Sequence, residues 1–355
     1  MEGVLSMEFR RRRDANLARR DAKRIAMVLR HRVVTVLDAL APRLATSPSL
    51  ILHLITPLLH GLRAASVSGK KGGDETLTAG LIKLFTKLCH PRHLLQTQFT
   101  EHARAAELLT ETLSYGRKCR GKALHSCVVM AAVLLLRLVF LPGSESKGRK
   151  ARDSDVLEGL CASLHLALGR RHSQLPASLA IAIAQRLPSV AWRVSDTLLD
   201  LTAPDTPAFG RSIAFDSLAH LFHNKPAIGE QDASKTSDVA AKLLESCNNV
   251  FEGPIDKSGK THRVMSSAVA AAQAVATANV QGALALPGDH SDLVTRLSAL
   301  SELPTHLTTA IARLLKTLKA MQHKTPKKTQ QTPSKRTSTK RPAVSGAAKT
   351  TRQKR

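Results

Sequence analysis

Apolar residues recur three and four positions apart through almost the whole 355-residue chain. This spacing places them on one face of an α-helix, so it predicts a succession of amphipathic helices. Aromatic residues make up only 3% of the sequence, and Leu, Ala, Val and Ile supply most of the apolar content, as in helix-on-helix packing. No Asn-Gly or Asp-Gly pair and no convincing alternating run predicts a β-hairpin. The sequence therefore predicts an all-α fold.

The first helical pattern is an apolar stripe that extends from Ile25 to Leu44. We expect Ile25, Val28 and Leu29 in this stripe to face the protein body, because an amphipathic helix buries its apolar face. The segment Thr46-Ser47-Pro48 then separates this helix from the next one.

Two prolines and one aspartate mark the next two helices. Pro48 suits the N-terminus of a second helix, and Pro57 is expected to kink that helix or to end its first part. Asp74 is expected to cap a third helix that contains Leu77 to Leu88, since an aspartate side chain can accept from the free N–H groups of the first turn.

Further segments with helical spacing follow, and the most apolar of them is 120–141, which we expect in the middle of the helical stack. Its apolar run from Val128 to Leu141 has 14 residues and includes Arg137, so we interpret it as a buried core helix too short to span a bilayer. The other predicted helices cover about 97–114, 153–169, 176–187, 190–201, 208–223, 236–252, 262–280 and 303–322.

Successive helices with short connections predict an irregular helical solenoid over residues 1–322, with a compact bundle as the competing architecture. From residue 323 to 355 the composition changes to Lys, Arg, Thr, Ser, Pro and Gln, with neither acidic nor aromatic residues. A segment of this kind buries too little apolar surface to offset its conformational entropy, so a disordered basic tail is predicted.

The net charge of +26 points to polyanionic partners. Two clusters carry much of it, one in the first predicted helix, where Arg13, Arg20 and Arg24 could share a face, and one in the tail. A basic segment that is merely solvated is the alternative to phosphate binding. The candidate nucleic-acid-binding residues are Arg10, Arg11, Arg12, Arg13, Arg20, Arg24, Lys327, Lys328, Lys335, Arg336, Lys340 and Arg341. Without aromatic side chains among them, they predict binding without sequence specificity.

The tail carries two further predictions. Its dipeptides Lys335-Arg336 and Lys340-Arg341, together with Lys327-Lys328, are short nuclear-import elements. Thr325 and Thr332 each precede a proline and are candidate phosphorylation sites, where an added phosphate would weaken anion binding.

No pattern predicts catalysis, a metal or a cofactor, and we do not expect an enzyme. The segment 251–261 resembles a phosphate-binding loop, but five residues separate its glycines, Pro254 lacks an N–H donor and a helix precedes it. The segment 143–150 fails similarly. The histidine pairs have no third ligand, the five cysteines lack zinc-site spacing, and the aspartates considered form no carboxylate pair. These residues are His90, His93, His220 and His223, Cys89, Cys119, Cys127, Cys161 and Cys247, and Asp38, Asp196 and Asp200.

Three segments together resemble the DNA polymerase phi / Myb-binding protein 1A family. They are LRHRVVTVLDAL at 29–40, SPSLILHLITPLL at 47–59 and LIKLFTKLC at 81–89. The ordered succession of a basic helix, Asp38, Pro48, Pro57 and Cys89 carries the resemblance, which covers roughly residues 8–141. Members of that family are far longer and have an acidic stretch ahead of this region, so we expect either a truncated form or a reduced homologue.

The resemblance implies armadillo/HEAT-like helical repeats, a nucleolar location, and a role in ribosomal RNA gene transcription and ribosome biogenesis. It thus leads us to expect a nuclear scaffold that binds protein partners through its repeats. Ribosomal DNA or pre-ribosomal RNA would bind its basic segments; neither a membrane nor a small-molecule substrate is expected. The alternative is a chromatin-binding protein similar to a linker histone, in which the tail is the effector.

Overall fold

The computed structural model describes residues 2–44, 47–68, 74–89, 99–140, 149–170, 175–224, 233–252, 259–281, 284, 291–300 and 303–322. These residues form helices and contain no strand, which confirms the all-α prediction. The predicted tail, 323–355, lies outside them. The helices are α1 (Glu2–Leu44), α2 (Pro48–Ser68), α3 (Glu75–Leu88), α4 (His102–Arg117), α5 (Lys122–Phe140), α6 (Arg149–Leu168), α7 (Ser178–Arg186), α8 (Pro188–Arg193), α9 (Ser195–Asp200), α10 (Ala208–His223), α11 (Ala233–Glu252), α12 (Gly259–Val280), α13 (Ser291–Ala299) and α14 (Thr305–Gln322).

Several helices differ from the prediction. Helix α1 begins at Glu2, well before the apolar stripe, because the Arg- and Ala-rich segment ahead of it has high helix propensity. Helix α2 continues through Pro57 to Ser68, so of the two effects expected of this proline, a kink or an end, the end is wrong. The segment predicted as one helix over 190–201 is divided at Val194 into α8 and α9. Helix α13 was not predicted, although Leu293 and Leu297 lie four positions apart and are both buried.

Helix α5 lies at the centre of the N-terminal half, as its apolar sequence predicted. It packs against α2, α3, α4 and α7. The helix starts at Lys122 rather than within the apolar run, so by length and composition it could cross a membrane, contrary to our expectation. However, 67% of its most apolar window is buried by the neighbouring helices. In this structure α5 is therefore a core helix.

Helices α4 and α5 form the closest helical hairpin of the N-terminal half. Gly121 connects them with a φ of +112°, a conformation that side chains other than glycine rarely adopt. Across the interface, Gly116 of α4 faces Val128 of α5, and a Cβ atom at Gly116 would lie only 2.8 Å from the valine side chain. Two glycines thus set the turn and the close approach of this pair.

Helices α10 and α12 form the second centre of the core. Helix α10 packs against α6, α7, α8, α9 and α12, and α12 also packs against α11 and α14. The buried face of α12 is rich in alanine, including Ala268, Ala271 and Ala272, which lets the two helix backbones approach closely. Because all of the larger interhelical contacts join helices at most four places apart in the chain, the packing follows chain order.

Candidate nucleic-acid interface

Among the side chains that the structure describes in α1, those of its C-terminal part pack against the other helices. Ala41 is buried, and Val34, Leu37 and Leu44 are partly buried against the core. Gly80 of α3 makes the contact close, because a Cβ atom there would lie 3.3 Å from a methyl group of Val34. This part of α1 lies mainly on α3 and makes smaller contact with α2.

Polar contacts of two carboxylates, Asp38 and Asp74, anchor α1 to α3. Lys87 Nζ donates to Asp38 Oδ1 at 2.5 Å, and Lys83 Nζ lies 3.8 Å from Asp38 Oδ2. The hydrogen bond from Lys87 is the main reason why the pKa of Asp38 is below its ordinary value. The contact of the second carboxylate joins His31 Nε2 to Asp74 Oδ2.

Asp74 is the N-cap of α3, as predicted. Its Oδ1 accepts from the backbone N–H of Leu77 at 3.0 Å and from the hydroxyl of Thr76. The hydrogen bonds from Thr76, Leu77 and His31, in that order, lower the pKa of Asp74 to about 2. The same carboxylate therefore caps α3 and binds His31 of α1. This contact fixes the direction in which the N-terminal part of α1 leaves the body.

The N-terminal part of α1 extends beyond this anchor. Its described side chains from Met7 to Ile25 are all exposed. A helix of 43 residues is about 65 Å long, whereas the 14 residues of α3 span about 21 Å. Because α3 is too short to support the whole of α1, the segment that contains Arg10 to Arg24 projects into solvent.

This projecting segment presents the basic face that the sequence predicted. Arg13, Arg20 and Arg24 are separated by seven and four residues, so their Cα atoms lie within about 40° around the helix axis. All three are exposed, and none forms an ion pair with another residue that the structure describes. Arg12, by contrast, forms an exposed ion pair with Glu8 at 3.2 Å. Unpaired cations of one sign at this spacing are suited to contacts with successive phosphates.

The expected orientation of the apolar stripe is wrong. Ile25, Val28 and Leu29 are not buried against the body, since they are 60%, 45% and 54% exposed. The periodicity correctly indicates a helix, but α1 has apolar residues on more than one side. The body covers the side that carries Val34 and Ala41 and leaves the other uncovered.

The remaining predicted binding residues lie outside the described part of the chain. These are the tail cations Lys327, Lys328, Lys335, Arg336, Lys340 and Arg341, together with Thr325 and Thr332. The structure therefore brings together Arg10, Arg11, Arg12, Arg13, Arg20 and Arg24 on one helix. The tail's role in binding stays a prediction.

The described residues that were considered for catalysis or metal binding form no common site. Asp38 binds lysines, Asp196 and Asp200 are exposed, and His220 contacts Gln185 Nε2 at 2.9 Å. Burial and the neighbouring His220 lower the pKa of His223. Within the ranges that the structure describes, no group of three or more His, Cys, Asp or Glu side chains is arranged to hold a metal ion.

The segment considered as a phosphate-binding loop joins two helices. Helix α11 ends at Glu252 and α12 begins at Gly259, so a helix precedes the loop as expected, where a nucleotide-binding loop of this type follows a strand. Lys260 is exposed on the first turn of α12. His90, His93 and residues 253–258 fall outside the described residues.

No protein-family model matches the chain, and no curated protein matches it significantly.

Proposed function

We propose that this protein is a scaffold tethered to nucleic acid. Its all-helical body binds protein partners, and its basic segments bind ribosomal DNA or pre-ribosomal RNA without reading the base sequence. The projecting basic segment of α1 carries the proposal. It presents exposed cations on one long helix, and the C-terminal part of that helix is anchored to the body through Asp38 and Asp74.

The charges of α1 support a polyanionic partner. Between Arg10 and Arg24 lie eight Arg or Lys residues against Asp14 and Asp21. Like charges this close repel one another, and binding of phosphate groups relieves that repulsion. A guanidinium group can also bind two phosphate oxygens at once, which suits arginine to contacts with phosphate.

The body is proposed to be an irregular armadillo/HEAT-like solenoid rather than a compact bundle. Packing that follows chain order supports this architecture, since each unit of a solenoid contacts its neighbours in the chain. A stack of this kind offers an extended surface for protein partners.

The location and pathway rest on the resemblance of residues 8–141 to the DNA polymerase phi / Myb-binding protein 1A family. On that basis we propose a nucleolar protein that acts in ribosomal RNA gene transcription and ribosome biogenesis. It binds as a scaffold and has no catalytic role in this proposal.

The test separates the two basic segments. Arg13→Glu/Arg20→Glu/Arg24→Glu and deletion of 323–355 should each weaken RNA binding and nucleolar retention, and the combination should abolish both. Lys118→Glu/Arg120→Glu/Lys122→Glu is the matched control, because it makes the same change in net charge at exposed positions of the α4–α5 turn. If the control weakens RNA binding as much as the α1 variant, net charge alone explains the binding and the tether is wrong.

The linker-histone alternative makes a different prediction for the body. A protein without residues 323–355 should still recover specific ribosome-assembly proteins from a nucleolar extract if the body is a scaffold. Recovery of none would favour the tail as the effector.

A further inference from the structure

An apolar groove lies between α1 and α2, above α3. Its volume is about 540 Å³. Leu29 and Val33 of α1 form one wall, Pro57, Gly61 and Ala64 of α2 form the other, and Leu81 of α3 lies at the base. The groove exists because α1 and α2 make little direct contact and both rest on α3.

We propose that this groove binds the apolar face of an amphipathic helix from a protein partner, and that the helix carries acidic residues beside its apolar face. The proposal rests on the proposed function, since it names the partner chemistry of the scaffold. The evidence for the groove is independent of the arginine face of α1, which carries the nucleic-acid part of the proposed function.

The dimensions of the groove fit a helix. The lining residues of α2 extend from Leu54 to Ala65, a rise of about 17 Å, which corresponds to about three helical turns. Gly61 and Ala64 have little or no side chain, so a partner backbone can approach α2 closely. A partner helix of three turns can present an apolar residue at every third or fourth position, as helices bound in grooves do.

The exposed apolar surface of α1 continues the groove toward solvent. Leu29 and Val33 are 54% and 56% exposed although both line the groove. Around the helix axis Ile25, Val36 and Leu40 share their side of α1, and they are 41–60% exposed. A contiguous apolar surface of this kind on a protein is a binding surface more often than a neutral one.

The charges on the stretches of α1 and α2 that form the two walls are positive, which defines the partner. Helix α2 contains no acidic residue, and α1 contains none from Ala22 to Leu37. Arg30 and His60 are the polar side chains that line the groove, and exposed Arg63 lies 5.8 Å from the ring of Tyr115, on which His60 stacks. Asp38 of α1 and Asp74 at the N-terminus of α3 already bind Lys87 and His31, respectively.

The charges and the apolar lining of the groove each disfavour one other occupant. A second copy would bring another basic α1 against this one, and the like charges would repel. Nucleic acid is disfavoured because the groove is lined mostly by aliphatic side chains, with His60 as the one aromatic ring among the lining residues, and so offers little stacking for bases. An acidic amphipathic helix satisfies both the apolar walls and the cationic rim.

The test uses an 18-residue helical peptide with leucines on one face and glutamates elsewhere. Two control peptides have lysine in place of every glutamate, or the same residues in an order that disperses the leucines. Binding to the full-length protein is followed by fluorescence anisotropy. We expect the acidic peptide to bind at least about 10-fold more tightly than either control.

Two variants then locate the binding site. Gly61→Leu fills the groove without a charge change, and it should leave the fold intact because a Cβ atom at Gly61 meets only Leu81, at 3.9 Å. Val33→Asp places a charge at an exposed position of the wall. Each should weaken binding of the acidic peptide at least about 10-fold. Leu50→Asp is the matched control, since Leu50 is 49% exposed on α2 and outside the groove, and it should change the affinity less than about 2-fold.

Several outcomes overturn the proposal. These are equal binding of the three peptides, an affinity unchanged in Gly61→Leu, or a wild-type dimer that Val33→Asp dissociates, which would make a second copy the occupant. RNA affinity of the same variants separates this proposal from the tether. If Gly61→Leu weakens RNA binding as much as the arginine variant of α1, the groove belongs to a nucleic-acid site. If the arginine variant retains full RNA affinity while Gly61→Leu loses the peptide, the tether fails and the groove stands.

Discussion

His31 of α1 donates a hydrogen bond to Asp74, the residue that caps α3, although the two lie 43 positions apart in the sequence. This carboxylate also accepts from Thr76 and from the N–H of Leu77. The Asp74 side chain therefore caps α3 and also binds α1. Its protonation should loosen both the cap and the attachment of the basic helix.

The first prediction follows from the pKa of Asp74, which these bonds lower to about 2. The unfolded chain has an aspartate pKa of about 3.9, so folding favours the ionised form. Its stabilising contribution is complete above about pH 5 and is lost as the pH falls toward 2. Asp74→Asn keeps a capping side chain but removes the charge, so it should lower the thermal midpoint at pH 7.

The measurement is the thermal midpoint by circular dichroism from pH 7 to pH 2. The difference between wild type and Asp74→Asn should shrink as the pH falls through 4. Asp196→Asn is the control, because Asp196 is exposed on α9. A difference that stays constant across this range contradicts the assignment.

The second prediction concerns a close contact between α6 and α10. A Cβ atom at Gly210 would overlap the backbone carbonyl of Leu168, which cannot move without shifting α6. We expect Gly210→Ala to lower the free energy of unfolding by about 3 kcal/mol. Gly159→Ala in α6 should raise it by about 0.5–1 kcal/mol, since that glycine is exposed and has open space. Urea denaturation of both variants measures the effect, and equal free energies would show that the packing at Gly210 is not close.

The third prediction concerns the salt dependence of nucleic-acid binding. Each phosphate contact contributes about 0.7 to the log–log slope for single strands and about 0.9 for duplex DNA. Arg13→Glu/Arg20→Glu/Arg24→Glu should therefore make the slope less steep by about 2 to 3. The affinity is measured by anisotropy over a series of salt concentrations. A parallel shift of the line with no change in slope would mean that these arginines do not contact phosphates.

The fourth prediction concerns the buried thiols. Cys127 and Cys247 have fully buried side chains, and Cys247 Sγ donates to the carbonyl of Ala268 at 3.3 Å. Burial raises the pKa of Cys127 to about 11 and raises that of Cys247 as well. Because the thiolate is the reactive form, both should react with iodoacetamide more than about 100-fold more slowly than a free thiol at neutral pH.

Cys161 is the internal reference for that experiment, since its side chain is partly exposed. Mass spectrometry after a short labelling pulse should find Cys161 modified first. Labelling of all sites at similar rates in the folded protein, without denaturant, would argue against the packing around α5 and α11.

Local sequence patterns determined most of the helices. The apolar run around Val128 indicated the buried core helix, and Asp74 indicated a cap, because both signals depend on residues within a few positions of each other. The same is true of the shared face of Arg13, Arg20 and Arg24, which needs only the rise and twist of one helix.

Tertiary packing decided what each helix buries. The sequence of α1 has apolar residues on more than one side, and only the position of α3 determines that Val34 is packed while Leu29 stays exposed. The contacts of Asp38 with Lys87 and of His31 with Asp74 join residues 49 and 43 positions apart, beyond any local periodicity. The groove likewise exists because α1 and α2 both rest on α3 without filling the space between them. Helical spacing fixes which side chains share a face, but the partner that covers that face depends on how separate helices fit together.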